Sequence, residues 1–281
     1  MPLTDAQWAR IEPLLPDRTP KRGGRWRDHR EVIDAIAYKF QTGTQWVHLP
    51  ERYGNWRGVY NRLRMWAIDG TWERVFTALV AQADADEDLG WAVSVDSTIV
   101  RAHQHAAGAA KRGPGRRAGR PRHRPVPRRT DHEDPPGCRR PLPGRWRSVS
   151  PPSQAGDAPA FPEVMARLRV PRRRGRPRTR PEVVLADTAY SSRAIREHLR
   201  RRGIRAVIPV PADQQRHRLR RGSRGGRPPA FDREAYRQRN TVERCINRLK
   251  QWRGIATRYE KTATIYLAGL HLAGIFLWSA R

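Results

Sequence analysis

The sequence predicts an α/β layer fold preceded by a small all-helical unit, and three observations predict it. Residues 1–85 carry helical periodicity broken only by short Pro/Gly-containing links. Beyond residue 91, short apolar runs of strand character ("AVSV", "VVLA", "RAVIPVP") alternate with helical stretches, the pattern of a central sheet flanked by helices. The first two of those runs each end on an Asp, Asp96 and Asp187, where an apolar strand meets polar residues. At 281 residues the chain is long enough for one large domain and a smaller attachment.

In the N-terminal unit, Thr4 is a good N-cap for "DAQWARIEPLL", in which Trp8, Ile11 and Leu15 recur at helical spacing. Asp28 opens a second helix whose Val32, Ile33, Ile36, Ala37 and Phe40 form one apolar stripe, stopped by Gly43. The link "TQWVHLPERYGNW" follows, and then two more helices, "GVYNRLRMWAIDG" and "TWERVFTALVAQ", the latter read as capped by Thr71. Arg57, Arg62 and Arg64 stand beside Trp56, Tyr60 and Trp66, which suits a helix-turn-helix-like DNA-binding unit as well as a plain helical bundle with surface arginines.

After the acidic linker "ADADEDLG" the order is strand "WAVSVDSTIVRAH", helix "APAFPEVMARLRV", strand "VVLADTAY", helix "SRAIREHLRRRG" and strand "RAVIPVP". A long helix, "FDREAYRQRNTVERCINRLKQWRG", and an apolar terminal segment complete the chain. That last segment, "TATIYLAGLHLAGIFLWSAR", approaches the length of a membrane span, yet it holds His271 and several small residues and reads as a buried helix.

Lys and Arg number 57 against 27 Asp and Glu, a formal charge of +30 that calls for a polyanionic partner. The basic residues run the whole length and form no single juxtamembrane block, which favours nucleic acid over a membrane surface. Two cysteines, Cys138 and Cys245, provide neither a disulfide frame nor a zinc set, and the start "MPLTDAQWAR" has no secretory pattern, so a reducing cytoplasmic setting is expected. His103 and His105 in "AHQH" have no Cys or His cluster to complete a zinc site.

Three acids then stand out on this basic background. Strand ends line the crevice of an α/β sheet, so Asp96 and Asp187 belong there, and Glu243 on a later helix can lean over the same crevice. Singly, each has a plain explanation: an Asp after a strand is ordinarily a turn or cap residue, and Glu243 can pair with Arg239 on a solvated helix face. Together, three carboxylates repel one another unless they hold divalent cations, and such hard oxygen donors suit Mg²⁺ or Mn²⁺. Two such ions activate a water or a 3′-hydroxyl for in-line displacement at a phosphodiester.

The stretch "YRQRNTVERCINRLKQ" holds Tyr236, Arg239, Glu243 and Lys250 with two, three and six residues between successive members. This resembles the Tyr-Arg-Glu-Lys signature of bacterial insertion-sequence transposases of the DDE type, in particular the IS-five family. "VDSTIVRAH" and "LADTAYSS" are similar to the segments around that family's first and second Asp, and "QWVHLPERYGNWRGVYNRLRMWAIDGTW" to its preceding helical module. The resemblance spans residues 1–110 and 154–281. It implies an RNase H-like catalytic core over 91–281, with Asp96, Asp187 and Glu243 as ligands of two Mg²⁺ (or Mn²⁺) ions. Tyr236, Arg239 and Lys250 would handle the DNA end, and together with Glu243 they stand at i, i+3, i+7 and i+14 along one helical face. Residues 1–85, through Arg57, Arg62 and Arg64, would bind the terminal inverted repeats. The expected partner is double-stranded DNA, both element ends and target, engaged by a homodimer in the nucleoid with no membrane involved. The implied reaction is DNA cleavage and strand transfer. A copy that only binds DNA, or a related nuclease without strand transfer, are the alternatives.

One segment departs from the family pattern. Residues 111–153, where two more sheet strands would fall, are dense in Arg, Pro and Gly, and that composition makes a poor source of core strands. Either a pair of compensating frameshifts in a GC-rich gene replaced the strands, leaving the central sheet incomplete, or the segment is a disordered basic arm. The two readings differ in what the other frames of the coding DNA spell over this stretch: alternating apolar strands in the first case, no such pattern in the second.

Overall fold

A computed structural model of the chain describes residues 2–17, 26–86, 92–95, 101–102, 158–172 and 175–280. Helix α1 (Asp5–Ile11) begins at Thr4 through a reciprocal capping box with Gln7. Helix α2 (His29–Thr42) is capped by the Asp28 carboxylate, which accepts from the Arg30 and Glu31 N–H groups, and it ends at Gly43 with φ 72°. Its expected stripe, from Val32 to Phe40, is buried. Helix α3 (Trp56–Ile68) starts at Asn55, earlier than the pattern suggested. Helix α4 (Thr71–Ala85) corrects the reading of Thr71 as a cap. Gly70, at φ 79°, occupies the cap position, and the Asp69 carboxylate accepts both the Thr71 N–H (2.9 Å) and the Thr71 hydroxyl (2.6 Å). The reversal between α3 and α4 needs a left-handed residue, and that requirement moves the cap back by one.

The apolar terminal segment forms α11 (Ala263–Ser279), started by Thr262. It lies against α3 and α4, so the first core cluster runs from Leu3 through Phe40, Trp66 and Phe76 to Leu272 and Phe276. That core therefore does not stop at residue 85. Two glycines let α11 approach closely: a Cβ on Gly269 would stand 2.5 Å from the Phe40 ring, and one on Gly274 would stand 2.7 Å from the Phe76 ring. Beneath this contact the Lys39 ammonium is ion-paired with Glu260, and it sits over the rings of Phe40 and Trp46 at 4.5 and 5.2 Å. Among the described residues, no helix is long and apolar enough to cross a membrane.

The second half is a three-stranded parallel sheet in the order β1 (Ala92–Val95), β3 (Val183–Ala186), β4 (Arg205–Val207). Ala92 pairs with Val183 and Val95 with Ala186. Helices α5 (Phe161–Arg167) and α6 (Arg193–Arg201) cover the face that carries Val184 and Ala186. Val183, Leu185 and Val207 form the opposite face, against Ala235 and Tyr236 of α8 (Arg233–Arg237). Burial on both faces is why "VVLA" reads as a continuous apolar run with no polar alternation. A separate parallel pair joins β2 (Arg101–Ala102) to β5 (Thr257–Arg258). Helix α7 (Ala212–Arg220) follows β4, while α9 (Asn240–Lys250) and the short α10 (Arg253–Ala256) follow α8. Asp96, His103, His105 and residues 111–153 lie outside the described residues.

Replacing Phe40, which is 0% exposed, by Ala removes the ring on which α11 rests. Urea unfolding should show a loss of about 3–5 kcal/mol. A loss below about 1 kcal/mol would contradict this packing.

Candidate active site and nucleic-acid interface

The strands β1, β3 and β4 are parallel, so their C-terminal ends share one edge of the sheet. Asp187 stands at that edge, directly after β3. It is partly exposed, and one carboxylate oxygen accepts the Ala189 N–H at 3.0 Å, starting the single turn Thr188–Tyr190. Tyr190 fixes the turn from below, buried with its ring 5.9 Å from that of Phe161. Val95 is the strand partner of Ala186, the residue before Asp187; Asp96 follows Val95 in sequence.

Arg196 holds the loop in place. Its guanidinium donates to the Ser191 hydroxyl (3.1 Å) and to the backbone carbonyl of Ile208 (2.8 Å), tying the loop after β3 to the segment after β4. Burial draws the Arg196 pKa below its ordinary value. Nothing in "SSRAIREHLRR" singled Arg196 out from its neighbours, because only the fold brings Ile208 beside it. Burial together with Arg202 and Arg201 likewise lowers the pKa of His198 on the same helix.

The stretch that carries Glu243 is not one helix. Between α8 and α9 the Gln238 and Arg239 N–H groups bond back to Ala235 and Tyr236, and Thr241 and Val242 bond to Gln238 and Arg239, all with i to i+3 spacing. This tightened turn advances by about 120° per residue where an α-helix advances by about 100°, so the four positions do not share one continuous helical face. Tyr236 packs on the sheet face with Val183, Leu185 and Val207, and its ring lies 5.2 Å from that of Phe231. Arg239 donates to Glu243 at 2.7 Å across i, i+4; its side chain is 15% exposed and that of Glu243 is 47% exposed. The plain surface pair is thus formed in the structure, although α9 also packs against β1. Lys250 is exposed at the last turn of α9.

Of the three N-terminal arginines, Arg57 and Arg64 are exposed, and Arg57 lies over the Trp56 ring at 4.7 Å. Arg62 departs from the expectation that it faces DNA. It is 9% exposed, bonds His29 Nδ1 at 2.9 Å, and sits 4.3 Å over Trp26 and 5.2 Å over Trp66. Its position on the inner face of α3, one residue from Leu63, turns it toward α2. Among the described residues, no three His, Cys, Asp or Glu side chains form a group able to hold a metal ion.

Comparison with known proteins fits these elements to a family. Residues 3–76 match the family model described as "Putative transposase of IS4/5 family", and residues 144–278 match "Transposase DDE domain". The uncharacterized protein y4sN of Sinorhizobium fredii is 40% identical over 114 residues, 41% of this chain and 87% of that protein. A 16.2 kDa uncharacterized protein of insertion element IS402 from Burkholderia cepacia is 34% identical over 107 residues, 36% of this chain and 73% of that protein. The chain belongs to the DDE transposases of insertion sequences. A Brucella ovis protein named "Putative transposase for insertion sequence element IS6501" is 30% identical over 95 residues, 34% of this transposase and 65% of that protein. No solved structure matches.

The two matched spans divide the transposase's candidate residues. Arg57, Arg62 and Arg64 fall in the first; Asp187, Tyr236, Arg239, Glu243 and Lys250 fall in the second, which opens inside the Arg/Pro-rich segment and past Asp96.

The arginines of α3 should separate by stability. Arg62→Ala leaves the ring nitrogen of a buried His29 without that partner and should cost about 1–3 kcal/mol in urea unfolding. Arg57→Ala and Arg64→Ala, at exposed positions, should stay within about 0.5 kcal/mol. Equal losses at all three positions would contradict the inward placement of Arg62.

Proposed function

We propose that this chain is a transposase of the IS-five type which binds the inverted repeats at the ends of its element and cuts and joins DNA there. The observation that carries the reading is the register of the parallel sheet: Val95, which precedes Asp96 in sequence, is the strand partner of Ala186, which precedes Asp187. Helix α9, which carries Glu243, packs against the same β1. Asp96, Asp187 and Glu243 would hold two Mg²⁺ or Mn²⁺ ions in an RNase H-like core spanning 91–281. Bound there, the ions supply Lewis-acid polarisation of the scissile phosphodiester and a nucleophilic oxygen. The donor set fits: Asp187 uses one oxygen in its turn and keeps lone pairs free, and the exposed Glu243 gives up only a surface ion pair, worth about 0.3–0.5 kcal/mol, to turn toward a cation.

In this reading Arg239, released from Glu243, and Lys250 neutralise phosphates beside the reacting bond, while Tyr236 braces α8 on the sheet. Arg57 and Arg64 on α3 contact the repeat, with residues 1–85 as the recognition unit and a homodimer as the assembly on DNA. A second reading has its own support. The DDE match begins only at residue 144, and residues 111–153 are dense in Arg, Pro and Gly, a composition poor in strand formers that suits a copy binding DNA without cutting it.

The two readings part in one assay on duplexes carrying the element's ends. If the site is intact, the chain cuts in Mg²⁺, and chelation with EDTA stops it. Asp187→Ala and Glu243→Ala then abolish cutting, with affinity changed by no more than about threefold, about 0.65 kcal/mol. Tight binding with no cleavage by the unaltered chain selects the second reading. Full activity in Asp187→Ala would remove Asp187 from the site.

A further inference from the structure

We propose that α7 and the turn after it, residues 212–230, form a clamp that grips the phosphate backbone of duplex DNA beside Asp187; this rests on the DNA-binding reading above. Topology supplies the first argument. β4 runs parallel to β3, so the arm leaves the sheet from the edge at which Asp187 stands. Its root is bolted to the Asp187 loop: the Ser191 hydroxyl, four residues after Asp187, donates to the Gln214 side chain at 3.0 Å, and Gln215 donates to the Val210 carbonyl at 2.8 Å.

Charge and burial supply the second. No residue of 212–230 is buried, and the segment belongs to no core cluster, so it adds nothing to hydrophobic stability. It carries Arg216, Arg218, Arg220, Arg221, Arg224 and Arg227 against a single acid, Asp213. Among the described residues none of these arginines is ion-paired, whereas on α6 Arg193 and Arg200 both approach Glu197. Arg216 and Arg220 at i, i+4, and Arg218 and Arg221 at i, i+3, are like-charge neighbours that weaken an isolated helix. A polyanion laid along α7 turns that repulsion into attraction.

The third argument is that the arm is a built element. The turn Gly222–Gly225 folds back on α7 so closely that a Cβ at Gly225 would overlap the Arg218 carbonyl oxygen, and Arg218 itself donates to the Gly226 carbonyl at 3.3 Å. The guanidinium groups are therefore presented on a fixed support, and the predominance of arginine among the arm's polar side chains points to a grip on backbone that is indifferent to sequence.

The test compares matched triple variants of the full chain on a random-sequence 30-base-pair duplex across a salt series. Each lost phosphate contact lowers the slope of log affinity on log salt by about 0.9. Replacing Arg216, Arg220 and Arg221 by Gln should lower it by about 2–3 and weaken binding at least about tenfold at 0.1 M salt. The same arginines changed to Lys should restore the slope, which excludes misfolding as the cause. Replacing Arg180, Arg200 and Arg201, exposed at the opposite edge of the sheet, should change the slope by less than about 1. Equal effects of the arm and control triples, no effect of the arm triple, or failure of Lys to rescue would each overturn the clamp. So would competition by polyglutamate as effective as by duplex at equal charge, which would assign the arm to an acidic protein. A parent chain that binds no duplex would overturn the DNA-binding reading itself.

Discussion

The seating of the C-terminal helix on the rings of Phe40 and Phe76 is the contact on which the rest of the structure depends. Gly269 and Gly274 remove the side chains that would otherwise hold α11 off those rings. Since α9, α10 and α11 follow one another with only short links, fixing α11 among α2, α3 and α4 also fixes how far α9 can stand from β1. The helix carrying Glu243 is thus positioned by residues from the N-terminal helices, far earlier in the chain. The buried Lys39 ion pair with Glu260 works in the same direction. Two charges out of water cost several kcal/mol each unless they meet, so the pair penalises any arrangement in which the link before α11 drifts from α2.

The second organising feature is the single edge shared by the ends of three parallel strands. Asp187 leaves from one, the basic arm from the next, and Arg196 binds the two exits together through Ser191, Ile208 and Pro209. An acid and a run of arginines are thereby delivered to one edge of the sheet by backbone topology, with little demand on side-chain reach. Charge elsewhere is less committed: Arg62 is consumed by packing on His29 and two tryptophans, although in sequence it looks no different from Arg57 and Arg64.

What the sequence made legible follows from the range of the forces involved. The caps at Thr4 and Asp28, the stripe on α2 and the buried run of β3 are local matters of hydrogen bonding and periodicity, and each appears where it was read. The cap at Gly70 was missed because Thr71 is the stronger cap by residue type, while the backbone there requires a left-handed residue. The break between Tyr236 and Glu243 was missed for a different reason. No Pro or Gly marks it, and the tightened turn at Gln238 and Arg239 arises where Tyr236 is drawn onto the sheet and α9 onto β1. Of the candidate site, the sequence made legible that Asp187 follows a buried strand and that Glu243 lies on a helix, whereas Arg196 and the Lys39–Glu260 pair depend on contacts that only the folded chain creates.

Whether strand ends and α9 build one cation site can be read by replacing Mg²⁺ with Fe²⁺ and letting ascorbate and peroxide generate hydroxyl radicals at the bound ion. A shared site should give polypeptide cuts near residues 96, 187 and 243, and excess Mg²⁺ should suppress them. Cuts confined to other parts of the chain, or a pattern that excess Mg²⁺ leaves unchanged, would contradict it.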